Sequence, residues 1–141
     1  MKIIVLLTMF FLAANLSIAQ NEPEDYAKLF FDLVAQGKIT EAITSMPTNE
    51  KFESDTSYLT KLQTKLVELA KSSGEYCGYE LIEKEEVSAS YVIYTYFIKY
   101  MNAPQKIQIV FYKPKDSWQV NHIGITNQAR QAQTKRSNVR M

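Results

Sequence analysis

The chain opens with Lys2 and an almost unbroken apolar run at positions 3–14 (IIVLLTMFFLAA), and no later stretch is as continuous. Beyond it the apolar residues are spaced. Ala27, Phe30 or Phe31, and Val34 recur at intervals of three to four, which marks one helix face. Pro23 suits the first helical position and Gly37 the stop. Ile39, Ala42, Ile43 and Met46 repeat the spacing over a shorter helix that Pro47 ends. Leu59, Leu62, Leu66 and Leu69 stripe a third helix, capped by Ser54 or Asp55 and closed by Ser72, Ser73 and Gly74.

From Tyr76 the period changes to alternation. Residues 76–87, 91–101, 106–113 and 118–126 are rich in Tyr, Ile, Val and Phe and predict four strands. The connections at 102–105 (NAPQ) and 114–117 (PKDS) are short and turn-like, so the strands are antiparallel neighbours. Three helices followed by a meander of about four strands specify an α+β fold, not a parallel doubly wound sheet. Alternation places Ile107, Ile109 and Phe111 on one face. In the last strand it gives Trp118, Val120 and His122 a shared inward face, opposite Gln119, Asn121 and Ile123. The 91–101 strand carries Tyr94, Tyr96, Ile98 and Tyr100 on one side and Tyr91, Ile93, Thr95 and Phe97 on the other. Apolar on both sides, it belongs in the middle of the sheet.

A positive start, a short apolar core and small residues at Ser17 and Ala19 fit a secretory signal peptide over 1–19, cleaved before Gln20. The run falls short of the roughly 20 apolar residues of a membrane span. The one cysteine, Cys77, lies far from the cleavage region, which argues against a lipoprotein. The expected address is therefore secreted or periplasmic, with no membrane span left after cleavage. At 141 residues there is room for one domain, expected over 20–126. Without Lys2 the 15 remaining basic residues balance 15 acidic ones. Arg130, Lys135, Arg136 and Arg140 fall in an acid-free segment, 127–141, expected to be a basic, disordered tail rather than a nucleic-acid-binding arm. A lone cysteine excludes an intrachain disulfide and a thiolate zinc site, and four glycines without a Gly-x-Gly or Walker arrangement leave no phosphate-cradling loop. No cofactor and no metal are expected.

An opening AKLFFDLVAQGKITEAITSM, a further helix, and strands ending in YKPKDSWQVNHIGI resemble the nuclear transport factor 2-like (cystatin-like cone) superfamily, most of all its secreted bacterial members of unknown function. The resemblance covers residues 25–126. It implies a strongly curved antiparallel sheet wrapped over helices, with a pocket at the open end of the cone. It also implies that function ranges from isomerase- and dehydratase-like enzymes to small-ligand binders and noncatalytic interaction domains, so the fold does not settle the activity. Dimers through the outer face of the sheet are common among such proteins, and a homodimer of this kind is open here.

The candidate chemistry is sparse. His122, the only imidazole, is suited to general acid or base work, or to a hydrogen-bonded place at the core's rim. Asp32 is either a carboxylate base in an apolar site or a solvated partner of Lys28, one turn earlier. Tyr94 and Tyr96 are the phenols chosen to face a ligand, Tyr96 also as a donor to a developing oxyanion. With Phe30, Phe111, Trp118 and His122 they form the expected ligand-binding set. Cys77 reads as a buried small hydrophobe, and the acidic run 83–86 as a solvated turn rather than a cation site. The preferred reading is an exported noncatalytic domain binding a small apolar or amphipathic ligand, or a partner protein, through the cone's open end. The rivals are an isomerase- or dehydratase-type enzyme using His122 with Asp32 or Tyr96, and an envelope-associated module whose basic tail contacts a charged surface.

Overall fold

A computed structural model describes residues 21–127. The expected leader, 1–19, and the segment 128–141 of the expected basic tail lie outside the described residues.

Four helices precede four strands: α1 (Pro23–Ala35), α2 (Ile39–Thr44), α3 (Glu50–Ser54), α4 (Thr56–Ser72), β1 (Tyr76–Ser88), β2 (Tyr91–Tyr100), β3 (Pro104–Tyr112) and β4 (Gln119–Asn127). In α1, Pro23 occupies the first turn, where its missing N–H has no intrahelical use, and the Asp25 carboxylate accepts the Glu22 N–H at 3.0 Å. The helix buries Ala27, Phe30, Phe31 and Val34, the expected stripe. Gly37, at φ 73°, takes the left-handed turn that ends it. Asp55, one of the two expected caps, receives the Tyr58 N–H at 2.9 Å and starts α4. Leu62, Leu66 and Leu69 are that helix's buried residues.

The short α3 is an addition to the three expected helices. Its Asn49 side chain caps the Phe52 N–H at 2.9 Å, and Phe52 is buried. A single turn gives too little periodicity to stand out in sequence, and tertiary burial of one phenylalanine stabilises it.

The sheet is an antiparallel meander in the order β1-β2-β3-β4, so the doubly apolar β2 is internal and β1 and β4 are edges. Tyr94 pairs with Ile109 and Tyr96 with Ile107, and Ile109 and Ile107 pair in turn with Ile123 and Ile125. This row meets the helices: Phe31 stacks on Tyr79 at 4.2 Å and meets Tyr96 edge-on at 5.0 Å. Tyr94 meets Phe111 edge-on at 5.7 Å. Phe30, Phe31, Ile107, Ile109 and Phe111 have no exposed surface at all.

One face assignment is corrected. Val110 pairs with His122 but Phe111 pairs with Val120, so Asn121 is an extra residue in β4. Such a bulge inverts the parity of everything beyond it. Ile123, not His122, continues the inward row of Val120; Ile123 is 2% exposed, while His122 is exposed on the outer side. Trp118 is buried but sits just before β4, with the Lys113 ammonium 4.7 Å from its ring centre. Cys77 is also corrected: it is an exposed free thiol on edge strand β1, its Sγ near the Glu75 carbonyl and the Met101 sulfur. Among the described residues no helix is long and apolar enough to cross a membrane.

Candidate functional site

Where β4 bulges, the α3–α4 junction lies against it. The Asp55 cap fixes the first turn of α4 and with it Tyr58, whose hydroxyl donates to the Ile123 carbonyl and accepts the Ile123 N–H at 2.7 Å. One side chain thus takes up both backbone groups of an edge-strand residue. Burial pushes the Tyr58 phenol above its ordinary value, and the Ile123 backbone contact opposes this in part. The hydroxyl is committed to the backbone and is not free for proton transfer.

Around this phenol the rings form a short ladder. Phe52 meets Tyr58 edge-on at 5.4 Å, and the His122 imidazole lies at 5.6 Å on a tilt of 30°. Together with Asn49, Lys51, Asp55 and Asn121 they line an open cleft of about 210 Å³. A second cleft of about 160 Å³ shares Phe52 and continues over Ile43, Thr44, Thr48, Glu53 and Leu59. The first cleft combines aromatic faces with an amide, an ammonium, a carboxylate and an imidazole at its rim. That is the chemistry of an amphipathic binding surface.

A second polar cluster joins α1 to the sheet. The Glu24 carboxylate accepts from the Tyr94 hydroxyl at 2.6 Å and from the Lys84 ammonium at 3.1 Å. Burial raises the Glu24 carboxyl, but hydrogen bonds from Tyr94, the helix backbone and Lys84, with the lysine's charge, leave it below the usual carboxylate value. Burial and the bond to Glu24 push the Tyr94 phenol up to about 12. The Glu24 carboxylate thus fastens the start of α1 to β1 through Lys84 and to β2 through Tyr94.

The sequence-predicted residues divide between these neighbourhoods. Tyr94, Tyr96 and Phe111 join Phe30 and Phe31 in the packed interior, where burial drives the Tyr96 phenol far above its ordinary value. Trp118 belongs to the same core cluster. Asp32 is half-exposed and ion-paired to Lys28, as its helical spacing suggested. His122 is the one member of the expected set lining the cleft. His122, Asp32 and Tyr96 therefore keep separate neighbours: the Tyr58 ring, the Lys28 ammonium and the interior aromatics. Phe52, Tyr58 and Asn121 went unread as site residues. The available signal was VNHIGI, in which two polar residues stand between apolar positions 120 and 123 and announce the bulge.

Among the described residues no group of three His, Cys, Asp or Glu side chains is placed to hold a metal ion. No family model and no curated protein matches the chain. Among solved structures, a crystal structure from Campylobacter jejuni named "Putative NTF2-like transpeptidase" matches at a TM-score of 0.55 and 19% identity, over 71% of this chain and 97% of the other. With helices on one face of a four-stranded antiparallel meander and that superposition, the chain has a nuclear transport factor 2-like fold.

Proposed function

We propose that residues 20–126 form a noncatalytic binding domain, exported behind the leader 1–19, that takes an amphipathic ligand or a segment of a partner protein. The cleft over Phe52, Tyr58 and His122 is its binding surface. The observation that carries this reading is the open aromatic ladder beside a buried aromatic core: Phe30, Tyr94, Tyr96, Phe111 and Trp118 are 0–9% exposed, whereas Phe52, Tyr58 and His122 line the cleft. Pairing of two copies through the outer sheet face, where Ile93 and Phe97 are half-buried, belongs to the same proposal.

The name of the Campylobacter protein raises acyl transfer as an alternative, which needs a nucleophile beside a base. Here the thiol of Cys77 is on β1 and the imidazole of His122 on β4, at opposite edges of the sheet. That separation favours binding. Anilinonaphthalene sulfonate, an amphipathic anion, tests the cleft. Its fluorescence is expected to saturate on the native protein, and Lys51→Glu combined with His122→Ser should weaken binding about tenfold with the melting temperature unchanged. Absence of saturable binding, or affinity untouched by the double substitution, removes the proposal.

A further inference from the structure

β4 is an edge strand, and its outward backbone groups are treated unequally along its length. The Val120 N–H donates to the Pro47 carbonyl at 2.6 Å. Both groups of Ile123 are taken by the Tyr58 hydroxyl. Two residues on, Ile125 pairs with Ile107 in the same sense as Ile123 with Ile109, so its N–H and carbonyl also point away from β3. No hydrogen bond to these groups comes from the loops, caps or side chains among the described residues. Among the described residues the edge is therefore closed at its first half and open at its second.

Beside the open half runs a groove of about 140 Å³, lined by Tyr58, Lys61, Leu62, Lys65, Ile123 and Ile125. Its floor is apolar. Lys61 and Lys65, one helical turn apart on α4, stand along its rim, and neither enters an ion pair among the described residues.

We infer that this groove is an edge-pairing site for an acidic, extended segment of a partner protein. The partner's backbone extends the sheet at Ile125, alternate apolar side chains rest on Leu62, Ile123 and Ile125, and its carboxylates face Lys61 and Lys65. The charge chooses the occupant. The chain's own segment beyond Asn127 carries Arg130, Lys135, Arg136 and Arg140 and no acid, so the lysines that attract an acidic strand repel it. This inference rests on reading the domain as a binding module, but it uses a groove on the other side of Tyr58 from the proposed cleft.

A blocked eight-residue peptide alternating glutamate and valine is the probe, titrated calorimetrically into the full chain. The peptide is expected to bind, with affinity falling steeply as salt rises. Lys61→Glu with Lys65→Glu should weaken it about tenfold, as should backbone N-methylation of the peptide at alternate residues. Lys51→Glu with His122→Ser should leave it unchanged, so that failure here and failure of the cleft are told apart. No binding, equal binding of the N-methylated peptide, or sensitivity only to the Lys51–His122 pair overturns the assignment. So does sedimentation showing that two copies of this chain pair through the same edge.

Discussion

In the interior, Phe31 stands 4.2 Å from Tyr79 and 5.0 Å from Tyr96, and no surface of Phe31 is left exposed. At the β4 margin, Tyr58 stands 5.4 Å from Phe52 and 5.6 Å from His122, and the three line an open cleft. Both regions are aromatic, yet they differ in what the hydroxyls do. Interior phenols are mostly packing surface: Tyr100 Oη is buried with no partner among the described residues. The margin's phenol is chiefly a backbone connector, since Tyr58 takes up the two edge groups of Ile123. Packing dominates one region and polar connection the other, and an open cleft lies at the second.

Substitutions can break that contrast. The largest effect is expected from Phe31→Ala, which empties a fully enclosed site and should cost about 3–5 kcal/mol of unfolding free energy. Urea unfolding measures it, and a loss near 1 kcal/mol would mean that the interior is not tightly packed. Next is Tyr58→Phe, which keeps the ring but strips Ile123 of both partners. About 1–2 kcal/mol should be lost, with faster amide exchange at Ile123. An unchanged exchange rate there would show that the hydroxyl does not close the edge.

The smallest effects come from a pair that sharpens the comparison. Tyr94→Phe breaks the bond to Glu24, and because Glu24 is half-exposed and water replaces the phenol, the loss should stay below about 1 kcal/mol. Its signature lies in pH dependence. Glu24 is depressed in the folded state, so its contribution is complete above the ordinary carboxylate value of 4.5 and is lost as pH falls through the lower folded value. Tyr94→Phe should shrink that acid-side loss. Tyr100→Phe removes an unpartnered hydroxyl and should change stability by less than about 0.5 kcal/mol at any pH. A loss above 1 kcal/mol in Tyr100→Phe would place a bound water on that oxygen.

Much of the fold was legible because its determinants are local. Pro23, Gly37 and Asp55 act through backbone geometry within a turn of where they stand, and the Leu62–Leu66–Leu69 stripe needs only helical spacing. The strands announced themselves by composition and by short polar connections. Legibility failed where a single residue changed the parity. One extra position, Asn121, sent His122 outward and Ile123 inward, and a candidate acid–base residue became the rim of a cleft. Cys77 failed for a related reason: the burial of a small residue on an edge strand depends on what packs beside the edge, which its neighbours in sequence do not encode.

The sequence by itself determined the order of the elements, their caps and stops, and which strand lies at the sheet's centre, since each follows from hydrogen-bonding geometry and apolar spacing over a few residues. Tertiary structure alone decided which aromatic rings fill the interior and which stay open. It also set the Tyr58 contact to a strand 65 residues away, which closes the backbone of Ile123, while that of Ile125 has no such partner among the described residues. Those outcomes depend on distances between segments remote in the chain, and a one-residue bulge is enough to reassign them.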